Sequence, residues 1–225
     1  MLPNKQSTGL RIFAVHIGHQ LSHQEWDKFI LSIPVEDRIR IENYKSWMDR
    51  QRTLLGTALV KWSIQKLAIV KQGFRTVRDE NGRPYIDGNY SWQGDFNLSH
   101  SGEWIVVAFA EKGKVGIDVE RIGPLNEAVM EYALTQAEWN IVSRLKDEDK
   151  TTQFYEIWTK KEAMYKTGLF PSAIPKSLDT FQMKGLYTHL FYIDPSHPVS
   201  VCWDQEKLTC EIVILDREEL ILYPK

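Results

Sequence analysis

Apolar residues at helical spacing, Phe154, Ile157, Trp158 and Tyr165, define one inward face in the segment that ends at Lys166, and Lys161 falls in the middle of it. A charge there occupies a place where packing calls for a leucine, so this helix reads as the wall of a polar site. Glu162 and Lys166 lie four residues apart on the flank of the stripe, where both heads reach the same cleft. Taken alone, an ordinary helix-stabilising pair of about 0.2–0.5 kcal/mol and a lysine snorkelling along its own stem describe this pattern equally well. A second stretch shifts the balance. Glu103 to Ala110 reads as a strand, followed by a Lys112-Gly113-Lys114 turn and a further strand through Gly116-Ile117-Asp118-Val119-Glu120. Strand side chains alternate, so Val115, Ile117 and Val119 share the apolar face and Asp118 and Glu120 share the other.

The remaining pattern alternates strands and helices. Leu10 to Ile17 reads as a strand, and Ser22 with Glu25 forms a capping box for the helix that follows. A helical region starts at Val35 and continues with a break through Ser46 to Val70, its buried stripe carried by Leu55, Ala58, Leu59 and Trp62. Phe74 to Ile86 reads as a hairpin turning at Asn81-Gly82. A short strand begins at Asp95, and Ser99-His100 is expected in the turn before the next strand, open to ligand. After Gly123-Pro124 comes a helical region in two pieces, the second capped by Thr135 and Glu138, then a charged linker at 146–150. Leu186 to Ile193, Pro198 to Trp203 and Leu208 to Leu215 read as strands of a closing antiparallel sheet.

With 225 residues the chain has room for one large domain or two small ones around a real core. A net charge of -2 argues against a nucleic-acid coat or a polybasic membrane anchor. The two cysteines, Cys202 and Cys210, lie in strand-like runs and read as small buried hydrophobes in a reducing compartment. The N-terminus has no apolar core of signal-peptide length, and no apolar run approaches the ~20 residues that span a bilayer, so a cytoplasmic, soluble protein is expected. His16, His19 and His23 match no helical zinc spacing and read as strand-end and cap residues.

Side by side, the Asp118 and Glu120 carboxylates repel unless a cation or a proton lies between them. Joined by Glu162 they would form an all-oxygen set without His or Cys, which suits a hard cation such as magnesium, with manganese as the alternative. Magnesium takes one or two protein carboxylates and completes its shell with water and phosphate, so the expected substrate carries a di- or triphosphate.

Gly-Ile-Asp-Val-Glu at 116–120 and Trp-Thr-Lys-Lys-Glu-Ala-Met-Tyr-Lys at 158–166, preceded by Phe-Asn-Leu-Ser-His-Ser-Gly at 96–102, resemble the signature of the 4′-phosphopantetheinyl transferases. Arg52-Thr53-Leu54-Leu55-Gly56 is similar to the larger, surfactin-synthetase-activating kind. The resemblance runs from about Glu36 to Phe181 and implies an α+β fold of two similar halves, 1–112 and 113–225, related by a pseudo-twofold with the active site between them. It implies transfer of 4′-phosphopantetheine from coenzyme A to a serine of an apo acyl or peptidyl carrier protein, as in nonribosomal peptide, polyketide or fatty acid synthesis. A monomer is expected, with no nucleic-acid or membrane partner. By the same resemblance Asp118, Glu120 and Glu162 hold the metal, and Glu162 and Lys166 act in catalysis. Coenzyme A is bound by Arg40, Arg52, Thr53, Arg83, Pro84, Ser99, His100, Lys161 and Lys166, with Arg40, Arg52 and His100 at its 3′-phosphate. The chain departs from the family at Asp37, often a second lysine there, and in the long, glycine-poor loop from Thr167 to Pro175. Two rival readings are a non-catalytic coenzyme A or carrier-protein binding module and a magnesium-dependent nucleotide pyrophosphatase.

Overall fold

A computed structural model describes residues 9–221 apart from positions 32, 71–72, 81, 89, 184 and 207–208. The expected hairpin dipeptide therefore lies partly outside the described residues at position 81, and Gly82 closes the turn with its N–H on the Asp79 carbonyl at φ +78°. The fold is α+β. Strands β1 (Gly9–His16), β4 (Asp95–Ser101), β5 (Trp104–Ala110) and β9 (Thr209–Leu215) form a sheet in the order β4-β5-β1-β9. Strands β6 (Val115–Val119), β8 (His197–Trp203) and β7 (Tyr187–Asp194) form a second, β2 (Arg75–Arg78) and β3 (Pro84–Asp87) a separate hairpin. Helices α1 (His23–Ile30), α2 (Val35–Glu42) and α3 (Trp47–Lys66) precede the hairpin. α4 (Glu127–Ala133), α5 (Gln136–Val142) and α6 (Asp147–Lys166) follow β6.

Four layers result from strand alternation. Phe13, Phe96, Val107 and Phe109 on one face of the first sheet pack with Leu54, Leu55 and Leu59 of α3. Leu10, Ile12, Val106 and Ala108 on its other face pack against Val115, Ile117, Val199 and Val201 of the second sheet. The opposite face of that second sheet, through Cys202, meets Ala163 and Met164 of α6. Both expected capping boxes form, Ser22 with Glu25 and Thr135 with Glu138.

Three sequence expectations change. β9 does not close an antiparallel sheet with β7 and β8; it pairs parallel to β1, because alternation fixes which face a strand buries but not which partner it finds. Residues 147–150 are the first turn of α6 rather than a linker. Ser99 and His100 lie within β4, not in a turn. Their strand carries polar residues at alternate positions because these face β6: Asp95 Oδ2 accepts from Val115 N–H (3.0 Å), and Asn97 Oδ1 from Ile117 N–H (3.0 Å). Ser99 Oγ donates to Asp118 Oδ1 (2.9 Å) and Ser101 Oγ to Glu120 Oε2 (2.8 Å). This polar ladder joins the edges of the two sheets and fixes where both acids point.

Gly116 sets the spacing of the third and fourth layers. A Cβ there would sit 2.0 Å from the Ala163 carbonyl oxygen and 2.7 Å from Thr167 N, both backbone atoms that cannot step aside. Gly116→Ala is therefore expected to push α6 off β6 and cost at least about 1–3 kcal/mol, read as a lowered urea midpoint. Unchanged stability would show that α6 does not sit this close.

Candidate active site

A cleft of about 470 Å³ opens between α2–α3, the β2–β3 turn, β4 and the end of α6. Arg40, Arg52, Thr53, Arg83, Pro84 and Ser99 line it, as do His100, Glu162 and Lys166. Nine of the twelve residues expected at a site from the sequence, all but Lys161, Asp118 and Glu120, thus share one space. Asp118 lies behind this wall, 2% exposed, and touches it through Lys166, whose Nζ donates to Asp118 Oδ1 (2.6 Å) and to Ser99 Oγ (3.0 Å).

The acids sense one another. Burial pushes the Glu162 carboxyl above the usual range, and the charges of Asp118 and Glu120 push it further while Lys166 pulls it back. Burial followed by the charge of Asp118 raises Glu120, against hydrogen bonds from Ser101 and Trp158. Burial likewise raises Asp118, opposed first by Lys166. Raised carboxyl pKa values mean that these groups favour the fold most when protonated, and that their contribution is lost as pH rises through the raised values. A cation bound at neutral pH would offset that cost.

Among the described residues no group of three or more His, Cys, Asp or Glu side chains stands ready to hold one ion. The donors nonetheless fit a hard cation. Asp118 Oδ2 is buried with no hydrogen-bond partner, an oxygen facing no donor, while Glu162 borders the open cleft beside it in charge. Magnesium needs only one or two such carboxylates when phosphate supplies the rest.

Two residues are placed differently from the sequence reading. Lys161 is buried in the middle of the α6 stripe, 1% exposed, but it does not reach the cleft. Its Nζ pairs with Glu138 (2.7 Å) and donates to the carbonyls of Pro175 (2.9 Å) and Leu178, so its charge is spent inside the protein. Its ammonium is therefore not among the groups that line the cleft. Tyr165, assigned to the inward stripe, is 46% exposed and lines the cleft instead; Phe154, Ile157, Lys161 and Met164 form the buried face.

Arg83 borders the cleft, yet its guanidinium is a clamp. It donates to the carbonyls of Lys166, Phe96 (3.2 Å) and Val115 (2.8 Å) and pairs with Asp95, tying α6, β4 and β6 together. Arg52 donates to the Gly102 carbonyl (2.8 Å) and pairs with Asp49 (3.0 Å), and Thr53 Oγ1 donates back to the Asp49 carbonyl (2.8 Å). Arg40 pairs with Asp37 (2.9 Å). Crowding in the cleft, then the charges of Arg52 and Lys166, hold the His100 imidazole below its usual pKa, so it stands mainly neutral at pH 7. Sequence reasoning missed Tyr44 and Arg78, which also line the cleft; Tyr44 lies past the end of α2 and Arg78 ends the four-residue strand β2, so neither carries a periodic signal. The cleft is basic in a chain of net charge -2, the arrangement that draws in an anion.

Two family profiles match in succession: "4′-phosphopantetheinyl transferase, N-terminal" over residues 19–112 and "4′-phosphopantetheinyl transferase superfamily" over residues 114–210. The chain belongs to the 4′-phosphopantetheinyl transferase family. It is 25% identical over 229 residues to the 4′-phosphopantetheinyl transferase Sfp of Bacillus subtilis (strain 168), covering 94% of this chain and all of that protein. The 4′-phosphopantetheinyl transferase gsp of Aneurinibacillus migulanus is 27% identical over 201 residues, 88% of this chain and 77% of the relative. The human L-aminoadipate-semialdehyde dehydrogenase-phosphopantetheinyl transferase is 28% identical over 157 residues, 64% of this chain and 51% of the relative. In this transferase the cleft lies where the two profile matches meet in space: its walls come from α2, α3 and β4 on one side and α6 on the other. Among the described residues no helix is long and apolar enough to cross a membrane.

Proposed function

We propose that this chain transfers the 4′-phosphopantetheine arm of coenzyme A to a serine hydroxyl of an apo acyl or peptidyl carrier protein, releasing adenosine 3′,5′-bisphosphate. The observation that carries this reading is the meeting of a basic cleft with the Asp118, Glu120 and Glu162 acids at the end of α6, in a chain of this family. Asp118, through its unpartnered Oδ2, Glu120 and Glu162 would hold magnesium, or manganese in its place. Bound there, the ion would supply Lewis-acid neutralisation of the pyrophosphate.

The chain's own groups do the rest. The serine oxygen attacks the phosphorus that bears the pantetheine arm, a new P–O bond forms, and the bond to the adenosine-side phosphate oxygen breaks. Glu162, on the open side of the acid group, takes the serine proton late in the transfer, when the hydroxyl has become acidic. Lys166 places fixed positive charge at the cleft floor, where charge collects on the leaving phosphate. Ser99 and Asp118 hold that ammonium in place. Arg40, Arg52 and His100 receive the 3′-phosphate, and Pro84 and Thr53 shape the wall around the nucleotide. Arg83 acts through the backbone it clamps. The same reading takes the chain as two related halves, 1–112 and 113–225, in a cytoplasmic monomer.

The test is intact-protein mass spectrometry of apo carrier proteins incubated with coenzyme A and magnesium. A gain of one phosphopantetheine that disappears when the carrier's serine is replaced by alanine is expected. Release of nucleotide without any carrier would instead favour pyrophosphatase chemistry, and neither product would favour a binding module. Asp118→Asn should shift the magnesium titration of the transfer to higher concentration by about tenfold or more. An unchanged titration would remove Asp118 from the metal.

A further inference from the structure

Four of the five Lys and Arg side chains that line the cleft already have a carboxylate partner in this structure: Arg40 with Asp37, Arg52 with Asp49, Arg83 with Asp95 and Lys166 with Asp118. Arg78 is the fifth. Among the described residues it forms no ion pair, and the hydrogen bond it makes is one from Nη1 to the Gly82 carbonyl (2.5 Å). A guanidinium carries five N–H donors in a rigid fork, so most of this one faces water or ligand.

Its surroundings define what it is set to meet. Arg78 stands at the end of β2, just before the β2–β3 turn, close enough to Arg40 of α2 that the two charges repel, with Asp37 and Tyr44 opposing that repulsion. The Arg40–Asp37 pair is neutral as a unit, so with Arg78 removed that corner has no net charge to offer an anion. Arg78 lines the cleft with Arg40 and adds a fork with no ion pair among the described residues, beside Asp79, whose carboxylate accepts from Arg83 N–H (2.9 Å). Asp37 pairs with Arg40 and attracts Arg78 without forming an ion pair with it, so a dianion that accepts from both guanidiniums would meet the charge that one carboxylate leaves over.

Resting on the proposed transferase reading, we infer that Arg78 is a specificity-determining residue of this chain: together with Arg40 it grips the 3′-phosphate of coenzyme A. It supplies the second positive charge at a corner where Asp37 has cancelled the first. The distinction it makes is between coenzyme A and the same molecule without the 3′-phosphate, since the arm, the pyrophosphate and the adenine are common to both.

Isothermal titration of wild type, Arg78→Met and Arg78→Lys with coenzyme A and with 3′-dephospho-coenzyme A tests this. Wild type is expected to prefer coenzyme A by about 10- to 100-fold, the range of a charge-assisted grip. Arg78→Met should lose most of that preference by weakening coenzyme A alone, and Arg78→Lys, which keeps the charge but not the fork, should fall between. Thermal melts of the three proteins should agree, since Arg78 is exposed on a two-stranded hairpin. If Arg78→Met weakens both ligands equally, or neither, while wild type still discriminates, the inference is overturned and the transferase reading stands. Wild type that binds neither ligand would overturn both.

Discussion

Glu162→Gln is expected to lower kcat by about 10²- to 10⁴-fold, the range contributed by a positioned general base, while the dissociation constant for coenzyme A moves by a few-fold at most. The amide keeps the shape of the side chain and its half-buried place on α6, so packing is preserved and only the proton-accepting oxygen is lost. The pH profile should report the same group. Burial and the charges of Asp118 and Glu120 lift its pKa above the ordinary 4.5 in the metal-free protein, and a bound cation would pull it back down. The rate of the wild-type enzyme therefore rises with pH as Glu162 gives up its proton, on a limb that moves to lower pH as magnesium is raised. In the Gln variant this limb should disappear. Equal losses in turnover and in coenzyme A binding would instead assign Glu162 to ground-state binding.

The second large effect lies outside the cleft. Lys161 and Glu138 have side chains with no solvent exposure, and their hub ties α5, α6 and the loop before Thr180 into one block. Besides the lysine, Glu138 accepts from Thr180 N–H (3.0 Å), Thr180 Oγ1 (2.8 Å) and Thr135 N–H (2.8 Å). Burial works against the Glu138 carboxylate, but the bonds from Lys161, Thr180 and Thr135 outweigh it and hold its pKa below the ordinary 4.5. Removing one partner leaves the other charge buried, so Lys161→Met should cost about 3–5 kcal/mol, seen as a fall in the urea midpoint. Glu138→Gln should cost less, and the double variant less than the sum of the two. The sign of the pH effect follows from the depressed carboxyl: its contribution is intact above about pH 4.5 and is lost as pH falls through the folded value. Folded Lys161→Met, assayed in the cold, should keep coenzyme A affinity within a few-fold. A selective loss of that affinity with stability unchanged would return Lys161 to the nucleotide.

Much of this was legible in the chain. The i, i+4 placement of Glu162 and Lys166 did put both at the cleft, and the alternation of Val115, Ile117 and Val119 with Asp118 did separate an apolar face from an acidic one. The oddity of Lys161 in an apolar stripe was also visible, because helical period is a local property. Its partner was not: Glu138 belongs to another helix, and its capping role on α5 already explained it without a lysine. β4 misled for a related reason. The strand beginning at Asp95 reads as giving way to a turn at Ser99-His100, whereas Asp95, Asn97, Ser99 and Ser101 are inward residues of one strand whose neighbour, β6, offers polar groups to bond. Arg83 shows the limit of matching positions by residue type. A basic residue before Pro84 does border the cleft, but its donors are consumed by three carbonyls and Asp95, a fact that only the packed structure contains.

Glycine and acid placement act together. Gly116 lets α6 approach β6, and that approach brings Glu162 within the field of Asp118 and Glu120, acids that lie more than forty residues earlier in the chain. The ladder from Ser99 and Ser101 then orients those two acids from the other sheet. Burial raises all three carboxyls, and the charge of Asp118 adds to it at Glu120 and Glu162, a cost at neutral pH that a divalent cation would relieve.

Magnesium titration by calorimetry, with and without coenzyme A, tests that claim most directly. One ion per chain should bind, more tightly when coenzyme A is present and more tightly as pH rises through the raised carboxyl values. Asp118→Asn and Glu162→Gln should each weaken it. Magnesium binding that is indifferent to coenzyme A, to pH and to both substitutions would contradict a shared metal between β6 and α6.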